Sequence, residues 1–354
     1  MEKPNAVDPY MDLDSKAFRE GLRFYDAEEA PFRLYGVFRE GDRLRRMPEA
    51  IAKTVNKGVE VFHRRTAGGR IRFVTDSPYV VLKVEMPYVY LGNRISLSGS
   101  AGFDLYNTVD GRNFYGGCFM PPLDVKDGYA YALDNDDGWQ EREITIHLTS
   151  YSTVARIWIG LHEKAVVKPA PDYLVEKPVV YYGSSITQGA SASRPGLNYQ
   201  NILSRRLRIN HVNLGFSGHA YAEETMTDYI KGLSMSAFVM DYDNNAPTPE
   251  FLAATHGKMF RAIRQAQPDL PILILPRPMY YLNEEYRQRH EIVYGTYRQA
   301  LDSGDRNVYF IPGRDLMALV EDDGLVDLHH PTDAGFLSMA NAIEPVLRKM
   351  LFGK

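Results

Sequence analysis

The chain has 354 residues, is 44% hydrophobic and 24% charged, and carries a net charge of −4 without any block of like charges. This leaves room for two domains with sizeable cores and argues against nucleic acid as a partner. One cysteine, Cys118, excludes an internal disulfide framework, and no run approaches the roughly 18 apolar residues of a membrane span.

The opening segment, MEKPNAVDPYMDLDSKAFRE, has no apolar core of the kind a signal peptide needs, so a cytoplasmic protein is expected. From about Arg33 to Leu161 short alternating runs recur: RIRFVTD (Arg70–Asp76), YVVLKVEM (Tyr79–Met86), REITIHLT (Arg142–Thr149) and VARIWIGL (Val154–Leu161). Ile144, Ile146 and Leu148, then Ile157, Ile159 and Leu161, occupy alternate positions, the period of half-buried antiparallel strands. Turn signals lie between the runs at Ala67–Gly69, Asp110–Arg112 and Asp134–Gly138, and no helix-length pattern stands out. An all-β sandwich of jelly-roll type is expected.

The stretch AVVKPAPDYLVEKP, Ala165–Pro178, with its three prolines, reads as a semi-rigid linker or a domain boundary. It places the domain division at 1–172 and 173–354. Beyond it, apolar runs alternate with helix-like segments: VVYYG (Val179–Gly183), HVNLG (His211–Gly215), FVMDY (Phe238–Tyr242), PILILP (Pro271–Pro276) and NVYFIP (Asn307–Pro312). Phe336, Met339, Ile343, Leu347 and Met350 form a helical stripe near the end. This alternation predicts a three-layer α/β/α domain on a parallel sheet.

In an open parallel sheet, chemistry gathers beyond the carboxyl ends of the strands. The first run is followed by Gly183-Ser184-Ser185-Ile186-Thr187. A serine there presents its hydroxyl at the sheet top, although serine and threonine equally cap the following helix. The second run leads to Asn213-Leu214-Gly215-Phe216-Ser217-Gly218-His219, where Gly218 can offer its N–H to a ligand or only make a turn. After the third come Asp243, Asn244 and Asn245 before Ala246-Pro247; an asparagine amide can donate to an oxyanion or cap a helix. DYDNN and DNDDG both miss the glycine and glutamate of a calcium loop, so no metal is expected. Asp327-Leu328-His329-His330-Pro331 precedes the terminal helix, and an acid three residues before a histidine can orient the ring as a base. No GxSxG elbow is present.

These blocks, in this order, resemble the SGNH (GDSL-type) hydrolases, with Ser185 in GSSIT, Gly218 in NLGFSG, Asn245 in DYDNNAP and His330 in DLHHP. GFDLY (Gly102–Tyr106) resembles the GxDLY signature of a β-sandwich that precedes one SGNH subgroup. The resemblance implies a serine esterase: Ser185 as nucleophile, His330 as base, Asp327 as acid, and Ser185, Gly218 and Asn245 as oxyanion donors. Ser184 stands where many relatives carry aspartate. Asn244 competes with Asn245, and His329 with His330; the Ala-Pro that follows and the Asp-x-x-His spacing favour Asn245 and His330.

Arg194 and His219 are candidates for substrate binding, each with an ordinary structural alternative; Asp104 of GFDLY is expected to pin a domain contact or a turn. The expected reaction is hydrolysis of short-chain, acetyl-type esters on an oligosaccharide or similar polyol, without a cofactor. The alternatives are an acyltransferase on a small-molecule acceptor, using the same residues, and a non-catalytic carbohydrate-binding protein. A homo-oligomer is left open.

Overall fold

The computed structural model describes residues 17–353; the opening segment, on which the expectation about a signal peptide rests, lies outside them. In the first half, one antiparallel sheet runs Leu22–Asp26, Arg156–His162, Tyr79–Glu85, Gly128–Asp134. The other runs Val167–Pro169, Arg70–Thr75, Arg142–His147, Phe103–Val109, Arg112–Phe119, with Arg33–Tyr35 added to Arg70–Thr75. The alternating residues do what their period requires. Ile144 and Ile146 stand opposite Phe73 and Ile71, Ile157 and Ile159 opposite Val84 and Leu82, and all of them meet in one core. At roughly 1.5–3 kcal/mol for each fully buried large apolar side chain, this core is what holds the sandwich shut.

Two expectations need correcting. Residues 49–62, read as part of an all-β region, form the short helices Glu49–Val55 and Lys57–Phe62. Each is too short for a periodic stripe to register, and the Asn56 side chain, which accepts the Val59 N–H, separates them. The proline-rich stretch is also less of a linker than its composition suggests. Val167–Pro169 is an edge strand, and Val175–Gly183 is already the first strand of the second sheet. Pro178 is tolerated because the register shifts between Val175 and Val179, where no ladder donor is needed.

The second half builds a five-stranded parallel sheet in the order Ile209–Gly215, Val175–Gly183, Ala237–Asp241, Ile272–Ile274, Val308–Phe310. Along the first strand Val180 and Tyr182 enter one core while Val179 and Tyr181 enter the other, so both faces are covered. The helices Glu224–Lys231, Pro249–Ala266 and Glu284–Asp302 pack on one side, and Tyr199–Leu207 and Asp333–Phe352 on the other. The first strand lies inside the sheet with the second on one flank and the third on the other. Its carboxyl end is therefore the topological switch point, where a crevice opens.

The two halves are built into each other. Met47, Ala52 and Val59 sit in a core of the parallel sheet. Arg46, fully buried, donates to the carbonyls of Asn213 (2.9 Å) and Gly215 (2.8 Å) at the end of the second strand. Its burial lowers its pKa to about 9.

Candidate active site

Ser185 opens the four-residue helix Ser185–Gln188 directly after the strand Val175–Gly183. Ser184 caps that helix by accepting the Ile186 N–H at 3.2 Å, so capping and chemistry fall on neighbouring serines. Ser185 is 8% exposed, and its Oγ lies 2.8 Å from His330 Nε2.

His330 is held from behind by Asp327, whose carboxylate oxygens lie 2.9 and 3.0 Å from Nδ1. With Nδ1–H donating to Asp327, Nε2 is left as the acceptor for the Ser185 hydroxyl. Leu328 adopts a left-handed backbone (φ 61), folding the loop so that Asp327 Oδ1 also takes the N–H groups of His329 (3.2 Å) and His330 (2.9 Å). Burial alone would raise the Asp327 pKa; the N–H and ring of His330 and the N–H of His329 outweigh it, and the net shift is downward. From the sandwich side, Arg94 places Nη1 3.1 Å from Asp327 Oδ2.

Gly218 and Asn245 line the same cavity as Ser185. Gly218 adopts φ 71, open to any Cβ but disfavoured for other residues, and it turns the chain after Ser217, whose N–H is tied to Gln188 Oε1 at 3.0 Å. Asn245 Oδ1 accepts the Ala220 N–H at 3.2 Å, which leaves its NH₂ as the available end. The Ser185 N–H, in the first helical turn, has no intrahelical acceptor. Ser185, Gly218, Asn244, Asn245, Arg277 and His330 line one cavity of about 250 Å³. Such an arrangement can move a proton from serine to histidine and stabilise an oxyanion on the attacked carbonyl.

Beneath it lies Asp241, buried at the end of the third strand, with its Oδ2 accepting from Thr187 Oγ1 (2.7 Å) and the Tyr199 hydroxyl (2.9 Å). Burial pushes its pKa up to about 7, against the pull of those two donors, and Asp243 adds to the rise.

The competing residues separate. His329 lines the cavity without contacting Ser185, and burial followed by the nearby Arg277 charge lowers its pKa. Asn244 shares the cavity with Asn245, and its buried Nδ2 has no acceptor among the described residues. Arg194, expected against the substrate, is turned away: its guanidinium binds Asp104 and the Tyr106 hydroxyl and stacks 3.8 Å from the centre of the Tyr115 ring. His219 likewise serves packing. Its Nδ1 bonds the Ser217 carbonyl at 2.7 Å and its ring lies against Phe62 and Gly58 of the first half.

Asp104 does pin a contact between the halves. It is fully buried and accepts His147 Nδ1 (2.9 Å) and the Gly196 N–H (3.0 and 3.1 Å) as well as Arg194.

Two cavity features escaped the sequence. Arg277 follows the fourth strand in Pro276-Arg277-Pro278; scanning that strand exit as the others were scanned finds it. The second is an adjoining cavity of about 280 Å³, shared by His330 and Ser191 with Tyr90, Asn93, Arg94 and Tyr151 of the sandwich. No local motif marks those four positions. Among the described residues no group of three or more His, Cys, Asp or Glu side chains could hold a metal ion, and no helix is long and apolar enough to cross a membrane.

Residues 176–348 match the family model of GDSL-like lipases and acylhydrolases, and residues 22–167 match GxDLY, the N-terminus of SGNH-hydrolase-type esterases. Among curated proteins none matches the chain. A GDSL-like lipase structure from Bacteroides ovatus superposes with a TM-score of 0.83 at 29% identity, over 93% of this chain and 98% of that one. Two others share the fold at lower identity. A salicylyl-acyltransferase from a tetracycline biosynthetic pathway has a TM-score of 0.73 at 17% identity, over 94% of this chain and 98% of its own. A family two carbohydrate esterase from Cellvibrio japonicus has a TM-score of 0.62 at 13% identity, over 93% and 98%. The parallel-sheet half of the chain, with its Ser185–His330–Asp327 relay, thus belongs to the GDSL-like lipase/acylhydrolase (SGNH) family, and the sandwich before it is the GxDLY domain of SGNH-type esterases.

Proposed function

We propose that the chain is a serine esterase that removes short acyl groups, acetyl foremost, from a carbohydrate or similar polyol. The observation that carries this reading is the Ser185 Oγ to His330 Nε2 contact of 2.8 Å, backed by Asp327 and facing the Gly218 and Asn245 donors. Ser185 Oγ attacks the ester carbonyl while its proton passes to His330 Nε2. The N–H groups of Ser185 and Gly218 and the Asn245 amide take the oxyanion. As the tetrahedral adduct collapses, the C–O bond to the alcohol breaks and His330 returns the proton to the leaving oxygen. Water, deprotonated by His330, then releases the acid and restores Ser185. Asp327 keeps Nδ1 protonated throughout.

The polyol part of the reading rests on the adjoining cavity, where the Tyr90 and Tyr151 rings stand 5.3 Å apart beside Asn93 and Arg94. A partly exposed Tyr90 ring, backed by the buried Tyr151 and flanked by polar groups, suits a sugar ring. The carbohydrate esterase among the structural neighbours points the same way, by analogy of fold.

The test is hydrolysis of p-nitrophenyl acetate, butyrate and octanoate by wild type and Ser185→Ala. Activity that falls with chain length and vanishes in the variant supports the reading; activity retained in Ser185→Ala removes it. The acyltransferase in the neighbour set supplies the second reading, which transfer to an added sugar in place of water would favour.

A further inference from the structure

Resting on that esterase reading, we propose that the substrate ester carries a carboxylate, which Arg277 binds inside the cavity that holds Ser185. Arg277 is 8% exposed, and its Nε and Nη1 have no hydrogen-bond partner among the described residues. It lines the same cavity as Ser185 and Asn245. Its place is rigid: the backbone N–H donates to Asp243 Oδ2 at 2.8 Å, and the guanidinium stacks 4.0 Å from the centre of the Tyr286 ring.

Among the described residues no carboxylate pairs with the Arg277 guanidinium. Asp243 spends Oδ2 on that backbone N–H, and its Oδ1 is the oxygen nearest Arg289, at 3.9 Å. Two other buried arginines are engaged: Arg46 donates to four backbone carbonyls, and Arg289 pairs with Glu285 at 2.9 Å.

An unpaired buried charge is strongly unfavourable. The Arg277 Nη2, which is not among those enclosed nitrogens, is the end that can donate to a carboxylate oxygen in the cavity.

The carboxylate could sit on the acyl half or the alcohol half of the ester, and isosteric pairs separate the two. Phenyl hemisuccinate and phenyl succinamate differ only in the acyl half; 4-acetoxybenzoate and 4-acetoxybenzamide differ only in the alcohol half. Wild type is expected to favour the carboxylate of one pair by about tenfold or more in kcat/KM, the scale of a hydrogen bond to a charged group. Arg277→Met should bring that ratio to near one, and Arg277→Lys should retain part of it. Equal rates within both pairs for wild type, or a preference that survives Arg277→Met, overturns the proposal.

Calorimetric binding of the same compounds to Ser185→Ala separates the two readings. Carboxylate-selective, Arg277-dependent binding without wild-type turnover removes the esterase and keeps the site. Turnover of all four compounds without selectivity keeps the esterase and removes the site. Neither turnover nor selective binding removes both.

Discussion

The buried carboxylate of Asp104, on the sandwich, holds the guanidinium of Arg194, nine residues after Ser185. The same carboxylate takes the Gly196 N–H. The aspartate of the GFDLY stretch is therefore a clamp on the segment that follows the nucleophile helix. Although burial favours the neutral acid, His147, Arg194 and Arg205 hold its pKa below the ordinary value. Asp104→Ala leaves the Gly196 N–H without its acceptor and Arg194 without its carboxylate, at about 3–5 kcal/mol for one partner removed from a buried pair. Asp104→Asn, which keeps an acceptor oxygen, should cost less. Urea unfolding of both variants measures the difference; equal stability of Asp104→Ala and wild type would sink the clamp.

Asn245 is expected to act on the barrier and hardly on binding. Its Oδ1 is fastened by Ala220, so under the proposed esterase reading Asn245→Ala removes an amide donor from the cavity that holds Ser185. A loss of about 10²–10³ in kcat with KM little changed is expected. The same substitution at Asn244 gives the contrast, since its amide meets the cavity wall. Steady-state kinetics on p-nitrophenyl acetate decide between them, and a larger kcat loss in Asn244→Ala would transfer the role.

Asp241 makes stability depend on pH. Its folded pKa of about 7 stands above the roughly 3.9 of an unfolded aspartate. Between those values the folded state keeps a proton that the unfolded state has released, so stability falls as pH rises from about 4 to about 7 and then levels off. The full change is on the order of 4 kcal/mol. Asp241→Asn is neutral throughout and can still accept from Thr187 and Tyr199, so it should flatten this slope and be relatively more stable above pH 7. Thermal melts from pH 4 to 8 check it; an unchanged slope in the variant would count against a raised pKa.

Gly58 tests how closely the halves approach beside the oxyanion turn. A Cβ there would stand 1.9 Å from Cγ of His219, next to Gly218. Gly58→Ala forces the helix Lys57–Phe62 and the His219 ring apart, at about 1–3 kcal/mol for overpacking. If the strain reaches Gly218, kcat falls with it. Pairing Gly58→Ala with His219→Ala, which vacates the space, should recover stability, as measured by chemical denaturation.

Much of the molecule was legible in the sequence because it follows from local rules. The period of two in Ile144–Leu148 and Ile157–Leu161 marks strands with one buried face, and the structure buries those residues in one core. The runs Val179–Gly183 and Phe238–Tyr242, apolar on both faces, mark central parallel strands, and polar residues at their exits fall at the crevice by topology. Ser185, Asp327 and His330 were readable for that reason, and for the short span between Asp327 and His330. The short helices at 49–62 and the strands inside the proline-rich stretch were not, because neither is long enough to show a period.

What the sequence determined by itself is the order of elements and the residue types at each strand exit. These depend on side-chain period, turn chemistry and chain connectivity. Only the tertiary structure decided which charges meet. Arg194 is the arginine closest in sequence to Ser185 among the cavity candidates, yet Asp104, far away in the chain, neutralises it. Arg277, 92 positions from Ser185, stands in the cavity with Nε and Nη1 unpaired. Arg94 reaches Asp327 from the other half of the chain. The energy of a charge depends on its burial and on its nearest opposite charge, and both are properties of distance in space, which separation along the chain does not set.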